Sequence, residues 1–141
     1  MKKIDGKWLI SFFQASYLNS PPRLQKGSVL GLHTLTDIDL KPGVTMAQVE
    51  EFLNNKYVPT FNEAGIDIKV IPLKGLRGDA KDKYGMIMFL NSDEVRNGIW
   101  SAPGTLTPKG EEMFKKVQAL NDERDKLFIY KTDPYTDWQV Q

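Results

Sequence analysis

Few side chains in this sequence can do chemistry. His33 is the single histidine, and it is the side-chain type whose ordinary titration lies near neutrality. It can serve as a general base or orient an acidic substrate. The plainer reading is a histidine hydrogen-bonded within a sheet or at a subunit interface. Asp37 lies four residues on, about 13 Å away along an extended strand at ~3.3 Å per residue, so a straight strand keeps the two apart. Arg77 stands in Gly75-Leu76-Arg77-Gly78-Asp79. Glycines on both sides let backbone approach a ligand, and a guanidinium grips carboxylate or phosphate through two parallel bonds. The alternative is a solvated hairpin in which Arg77 meets Asp79 for little gain. Arg77-Gly78-Asp79 also matches a short integrin-binding triplet, but three residues recur by chance. Tyr84 and Trp100 are candidates to wall an apolar pocket, with the Tyr57 hydroxyl as a polar anchor, although core packing is the commoner fate of such rings. The segment 101–110, just after Trp100, is a candidate lid.

Other chemistries are excluded or unsupported. With no cysteine there is no disulfide, zinc–thiolate site, iron–sulfur cluster or thiol nucleophile. One histidine excludes a site needing two imidazoles within a chain. Asp37, Asp39, Asp79 and Asp82 fit no calcium-loop spacing and read as solvated charge. The glycines lack the spacing and following lysine of a phosphate-binding loop, and no G-x-S-x-G elbow occurs. No cofactor is expected. Nineteen Lys and Arg against 18 Asp and Glu leave a formal net charge of +1. That balance gives no bulk field for nucleic acid or an anionic membrane. No apolar run approaches the roughly 20 residues of a membrane helix. A cytoplasmic location is expected, with export of a bacterial protein the alternative.

The 141 residues suit one domain preceded by a short arm. Residues 1–27 form the arm and linker. Its lysines followed by Trp8-Leu9-Ile10-Ser11-Phe12-Phe13 superficially resemble a signal peptide. Gln14 interrupts that run, Asp5 sits in the basic part, and no small-residue cleavage site follows. Leu9, Phe13 and Tyr17 repeat at four, which favours a docked helix before Pro21-Pro22 ends regular structure.

Residues 28–141 form the main domain. The first strand is expected over 29–40, with Leu30, Leu32, Ile38 and Leu40 on one alternation and His33, Asp37 and Asp39 on the other. Pro42-Gly43 makes a turn. Thr45 and Gln48 have the spacing of a capping box, opening a helix with Met46, Val49, Phe52 and Leu53 inward. Pro59 is expected to kink or end it, and Gly65 to stop it. A second strand follows over 66–73, with Pro72 marking an edge. Residues 84–90 read as a strand covered on both faces. Ser92 caps the next helix, with Asp93 and Glu94 at its positive end. Thr107 caps a longer one, with Pro108 in its first turn. The last strand is expected over 128–132, followed by a turn-like aromatic tail.

Strand, helix, strand, strand, helix in two pieces, strand is the βαββαβ order of ferredoxin-like α+β folds. It predicts one four-stranded antiparallel sheet with helices on one face. The apolar strands 29–40 and 84–90 leave the other face too greasy for water. A second copy is the most economical cover, so a homodimer is expected, with the chain's own arm as the alternative cover.

The chain resembles the dimeric α/β-barrel superfamily, which includes antibiotic-biosynthesis and haem-degrading monooxygenases and stress-responsive A/B-barrel proteins. The likeness rests on His33 in the first strand and on Leu40-Lys41-Pro42-Gly43-Val44 before an amphipathic helix. It rests also on Tyr84-Gly85-Met86-Ile87-Met88-Phe89 leading into Ser92-Asp93-Glu94. It covers residues 28–132. It implies a small-molecule pocket between sheet and helices, holding an aromatic or polyketide-like compound, and cofactor-independent oxidation or proton transfer. Haem-degrading members hold iron through a helical histidine, which this chain lacks, so that role does not pass to His33. Under this reading His33 is the catalytic residue, and Tyr57, Arg77, Tyr84 and Trp100 bind the ligand. The alternative is a non-catalytic dimerisation or interaction module.

Overall fold

The computed structural model describes residues 22–35, 39–129 and 135–141, without the side chains of residues 33–35 and 135. The expected arm helix, Asp37 and most of the expected strand 128–132 lie outside these residues.

The fold is mixed α+β. Strand β1 (Val29–Leu35) is followed by the short β2 (Asp39–Leu40) and helix α1 (Met46–Phe52). Thr45 accepts from the Gln48 N–H at 3.3 Å, while the Gln48 side chain accepts from the Thr45 N–H at 2.9 Å, so the expected capping box forms. A wide π turn (Leu53–Tyr57) then leads into α2 (Val58–Glu63). Pro59 thus neither ends nor stops the helical path. The Val58 N–H reaches back five residues to Leu53 O, and that loosened turn accommodates the proline ring. The path ends at Gly65, with φ +72°.

Strand β3 (Lys69–Lys74) and β4 (Tyr84–Leu90) form a hairpin. Helix α3 (Asp93–Ile99) starts at Ser92, whose hydroxyl accepts from the Val95 N–H. A small hairpin, β5 (Trp100–Ala102) and β6 (Thr105–Leu106), precedes α4 (Pro108–Lys115), capped by Thr107 as expected. The expected longer helix breaks at Val117 and resumes as α5 (Gln118–Asp125). Strands β7 (Phe128–Ile129) and β8 (Tyr135–Gln139) close the chain.

The main sheet has the order β3-β4-β1-β8, antiparallel throughout. Two strands differ from expectation. The stretch 29–40 divides, since β2 leaves the sheet to pair with β7. Of the expected last strand, the described residues Phe128–Ile129 pair with β2 and not with the main sheet. The fourth strand of the main sheet is β8, in the tail expected to be turn-like, paired from Val29↔Gln139 to His33↔Tyr135. Thr, Tyr and Trp at β8 suit a pleated edge, and the preceding Asp-Pro pair hides that signal. Pro72 lies in β3, an edge strand, as its missing N–H requires.

The two faces of the sheet differ sharply. Val29, Val70, Met86 and Leu90 share one alternation and join Val49, Leu53, Tyr57, Phe61, Ile99, Val117, Leu120 and Phe128 from the covering elements in a single buried core. The opposite alternation carries Leu30, Leu32, Ile71, Leu73, Ile87 and Phe89. Of these Phe89 is buried, yet it lies outside that core, and the others are half-buried.

Candidate functional site

Of the residues expected to share one site, the register brings His33 and Tyr84 onto one alternation of paired strands, two residues apart, while Tyr57, Arg77 and Trp100 stand on other elements. His33 occupies β1 opposite Met86 and Tyr135. By backbone register it falls on the helix-facing alternation of Val29 and Gly31. Its side chain lies outside the described residues.

Tyr57 ends the π turn and is 4% exposed. Its hydroxyl donates to Asn121 Oδ1 at 3.0 Å and accepts from Arg124 Nη1 at 3.4 Å. The Arg124 guanidinium also lies 5.9 Å from its ring centroid, and Phe52 and Phe61 flank it. Donor and acceptor capacity are both met by α5, so this is a helix-to-helix clamp rather than a ligand anchor. Burial pushes the phenol above its ordinary pKa of 10.0, although the Arg124 charge and hydrogen bond oppose it. The folded state then holds the proton that the unfolded chain releases, so the phenol's contribution is complete below 10.0 and falls as pH rises beyond it. The Tyr57→Phe variant should therefore lose less thermal stability than the parent when pH is raised through 10.0, measured by paired melting curves. Equal alkaline losses would contradict this.

Tyr84 lies at the opposite end of β4 from α3. Its hydroxyl donates to Glu50 Oε1 of α1. Lys74 Nζ stands 3.6 Å from that carboxylate and 5.5 Å from the Tyr84 ring centroid. This partly exposed trio ties the helix to the hairpin end. Beyond it runs the loop 75–83, closed by Gly75 N–H to Lys83 O at 2.8 Å and Asp82 N–H to Gly75 O at 2.9 Å. Gly75 is obligatory, because a Cβ there would fall 1.6 Å from Ala80 O. Arg77 precedes a 3₁₀ turn at Gly78–Ala80 and is exposed. Neither the Arg77–Asp79 contact nor any other ion pair of Arg77 forms among the described residues.

Trp100 packs against Phe114 with ring centroids 5.9 Å apart and beneath the Arg96 guanidinium at 5.7 Å. Arg96 also pairs with Asp137 of β8 at 3.2 Å. The segment after Trp100 is pinned rather than free to close. The Thr107 N–H donates to Ile99 O at 2.8 Å, and its hydroxyl donates to Gly98 O at 2.6 Å.

Between sheet and helices lies the buried core cluster, to which Val49, Leu53, Tyr57, Phe61, Ile99 and Phe128 belong. A shallow cleft of about 240 Å³ lies elsewhere, between Gly65–Asp67 and the face of α4 bearing Lys109, Glu112, Met113 and Lys116. It is smaller than the roughly 300–1,000 Å³ of small-molecule sites, and the exposed Lys109–Asp67 pair at 3.4 Å spans it. None of the sequence-selected residues lines it. Among the described residues no cluster of His, Asp and Glu is arranged to hold a metal ion. No described helix is long and apolar enough to cross a membrane.

Sequence reasoning missed the contacts that finish the sheet. Asn62, at the end of α2, bonds both backbone groups of Val70. Trp138 projects from β8 and is 64% exposed. A carboxamide near a helix end carries no strand signal, and Trp138 follows a turn-like tetrad. The Thr-x-Trp alternation of Thr136 and Trp138 was the available clue. Compared with protein-family models, curated proteins and solved structures, the chain matches none.

Proposed function

We propose that this chain acts by association rather than catalysis. It is a homodimerising interaction module with ferredoxin-like subunits, paired through the outer faces of their sheets as in a dimeric α/β barrel. The all-antiparallel order β3-β4-β1-β8, with helices packed on one face, supports the ferredoxin-like reading. The observation that carries the function is the contrast between the two faces. Core side chains pack beneath the helices, while the half-buried Leu30, Leu32, Ile71, Leu73 and Ile87 share the apolar alternation of the other side with the buried Phe89.

That surface suits a second copy. A twofold contact sets the same patch against itself, so any charge on it meets a like charge. The patch carries no carboxylate, and the one lysine on its alternation, Lys69, turns its ammonium to Asn62 O. Self-contact therefore brings no repulsion, and area removed from water drives it at roughly 25 cal/mol per Å². A small-molecule, monooxygenase-like function needs room beneath the helices, and the packed core is what weighs against it.

Ile87 and Leu32 face each other at the middle of the patch. The Ile87→Lys variant should keep its secondary structure and sediment at half the mass of the parent particle. Leu32→Lys serves as the second probe. Unchanged mass with a buried lysine would overturn the reading.

A further inference from the structure

The two edges of the sheet are finished in opposite ways. At β3 the Asn62 carboxamide imitates a neighbouring strand. Its Nδ2 donates to Val70 O at 3.0 Å, and its Oδ1 accepts from the Val70 N–H at 2.8 Å. The backbone groups of Val70 therefore point away from β4. Two residues on, the next position facing outward is Pro72, which has no N–H to offer. A strand cannot add to this edge without displacing Asn62 and meeting a proline, the devices by which proteins blunt an edge.

Among the described residues, neither device is present at β8. The Val140 N–H donates to Ser28 O at 2.9 Å, and Val140 O accepts from the Gly27 N–H at 2.8 Å. By the alternation of an antiparallel ladder, Thr136 and Trp138 also turn their backbone groups toward β1. The N–H and C=O groups of Tyr135, Asp137 and Gln139 then face outward. Among the described residues β8 is the end of the sheet. Gln139 O is met there only by the exposed side chain of Gln141, at 3.3 Å.

We propose that β8 pairs antiparallel with β8 of a second copy, about a twofold axis at Trp138. Several registers centre the axis within the strand. Centring on Asp137 sets two carboxylates opposite each other. Centring on Trp138 instead sets Asp137 opposite Gln139 of the partner subunit, and Trp138 opposite Trp138 of the partner subunit. Trp138 then falls at a non-hydrogen-bonded site, where Cα atoms approach to about 4.5 Å and aromatic pairs gain most. The outward residues 137 and 139 exchange the backbone bonds, and Tyr135 reaches Gln141 of the partner subunit.

Two side chains are already prepared for this burial. The Trp138 indole N–H donates to Thr136 Oγ1 at 2.9 Å, so covering the ring orphans no donor. Asp137 is neutralised by Arg96. This contact stands on the sheet edge and does not rest on the face-to-face reading. The two use different axes, and where those twofolds cross at right angles together they give a four-chain particle.

The test is sedimentation equilibrium of the full chain with Gln139→Pro, which removes one outward N–H and no bond to β1. Trp138→Lys, at a residue already exposed, is the second probe should the proline disturb folding. Both should halve the parent mass, and hydrogen exchange at the Asp137 and Gln139 amides should be slow in the parent and fast in Trp138→Lys. Unchanged mass in both variants overturns the edge contact. So do slow amides in a variant reduced to one chain, which mean that the chain's own arm occupies β8. Halving by Ile87→Lys alone leaves the face contact and removes this one. Halving by the β8 variants alone does the reverse.

Discussion

Replacing Phe128 with alanine should cost about 3–5 kcal/mol, the usual range for truncating a fully buried aromatic. Phe128 has no exposed surface and belongs to the core formed by the sheet's inner face and the helices. It stands in β7 opposite Leu40, so the same ring also holds the β2–β7 ribbon against the body of the fold. Val49, Leu53, Ile68 and Val117 belong to the same buried core. Domains of this size are stable by only about 5–15 kcal/mol, so the variant should lose a large share of its denaturant midpoint with little change of slope. A cost under about 1 kcal/mol would mean that Phe128 does not close the core.

The second large effect runs against helix propensity. Gly110 and Gly98 both lie in helices, where alanine is favoured over glycine by about 1 kcal/mol. At Gly98 the nearest atom to an added Cβ is the flexible Lys109 Nζ at 4.0 Å, so Gly98→Ala should stabilise by roughly that amount. At Gly110 the Cβ would stand 2.4 Å from Ile99 O and 3.2 Å from Ile99 C, both backbone. Ile99 O cannot retreat cheaply, because it accepts the Thr107 N–H that fixes the start of α4. Gly110→Ala must push α4 off the end of α3, against the 3.0 Å bond from the Gly110 N–H to Thr107 Oγ1. Overpacking of this kind costs about 1–3 kcal/mol or more, so Gly110→Ala should be destabilised while Gly98→Ala is stabilised. Melting curves of the pair report the two signs directly. Stabilisation by both would show that α4 is free to shift.

Local chemistry was legible where it acts over three or four residues. The Thr45–Gln48 box, the Ser92 and Thr107 caps, the Gly65 stop and the edge position of Pro72 all follow from short-range geometry. Legibility failed where pairing is long-range. The apolar run 29–40 reads as one strand, but its end belongs to a ribbon with β7. Leu40 and Phe128 are 88 residues apart, and no local pattern announces their meeting. In the tail around Trp138, Asp-Pro suggests a turn, yet Thr136 and Trp138 continue the outer face of the sheet opposite Leu32 and Leu30.

The candidate site was less legible than the fold. By residue type alone, Tyr57, Tyr84 and Trp100 suit a polar or pocket-lining use. Each instead joins two structural elements, through Asn121 and Arg124, Glu50 and Lys74, and Phe114 and Arg96 respectively. A ring that bridges elements and a ring that walls a ligand look the same in sequence, because both need an apolar body and a polar tip. What separates them is whether the space beyond is filled, and filling depends on residues from distant parts of the chain.

The most direct measurement is the mass of the unmodified full chain in solution by sedimentation equilibrium across a concentration series. An even number of chains is expected, four when the sheet faces and the β8 edges both engage, giving way to smaller even particles on dilution. A single chain at every concentration would contradict the account, because the apolar outer face would then need no second copy.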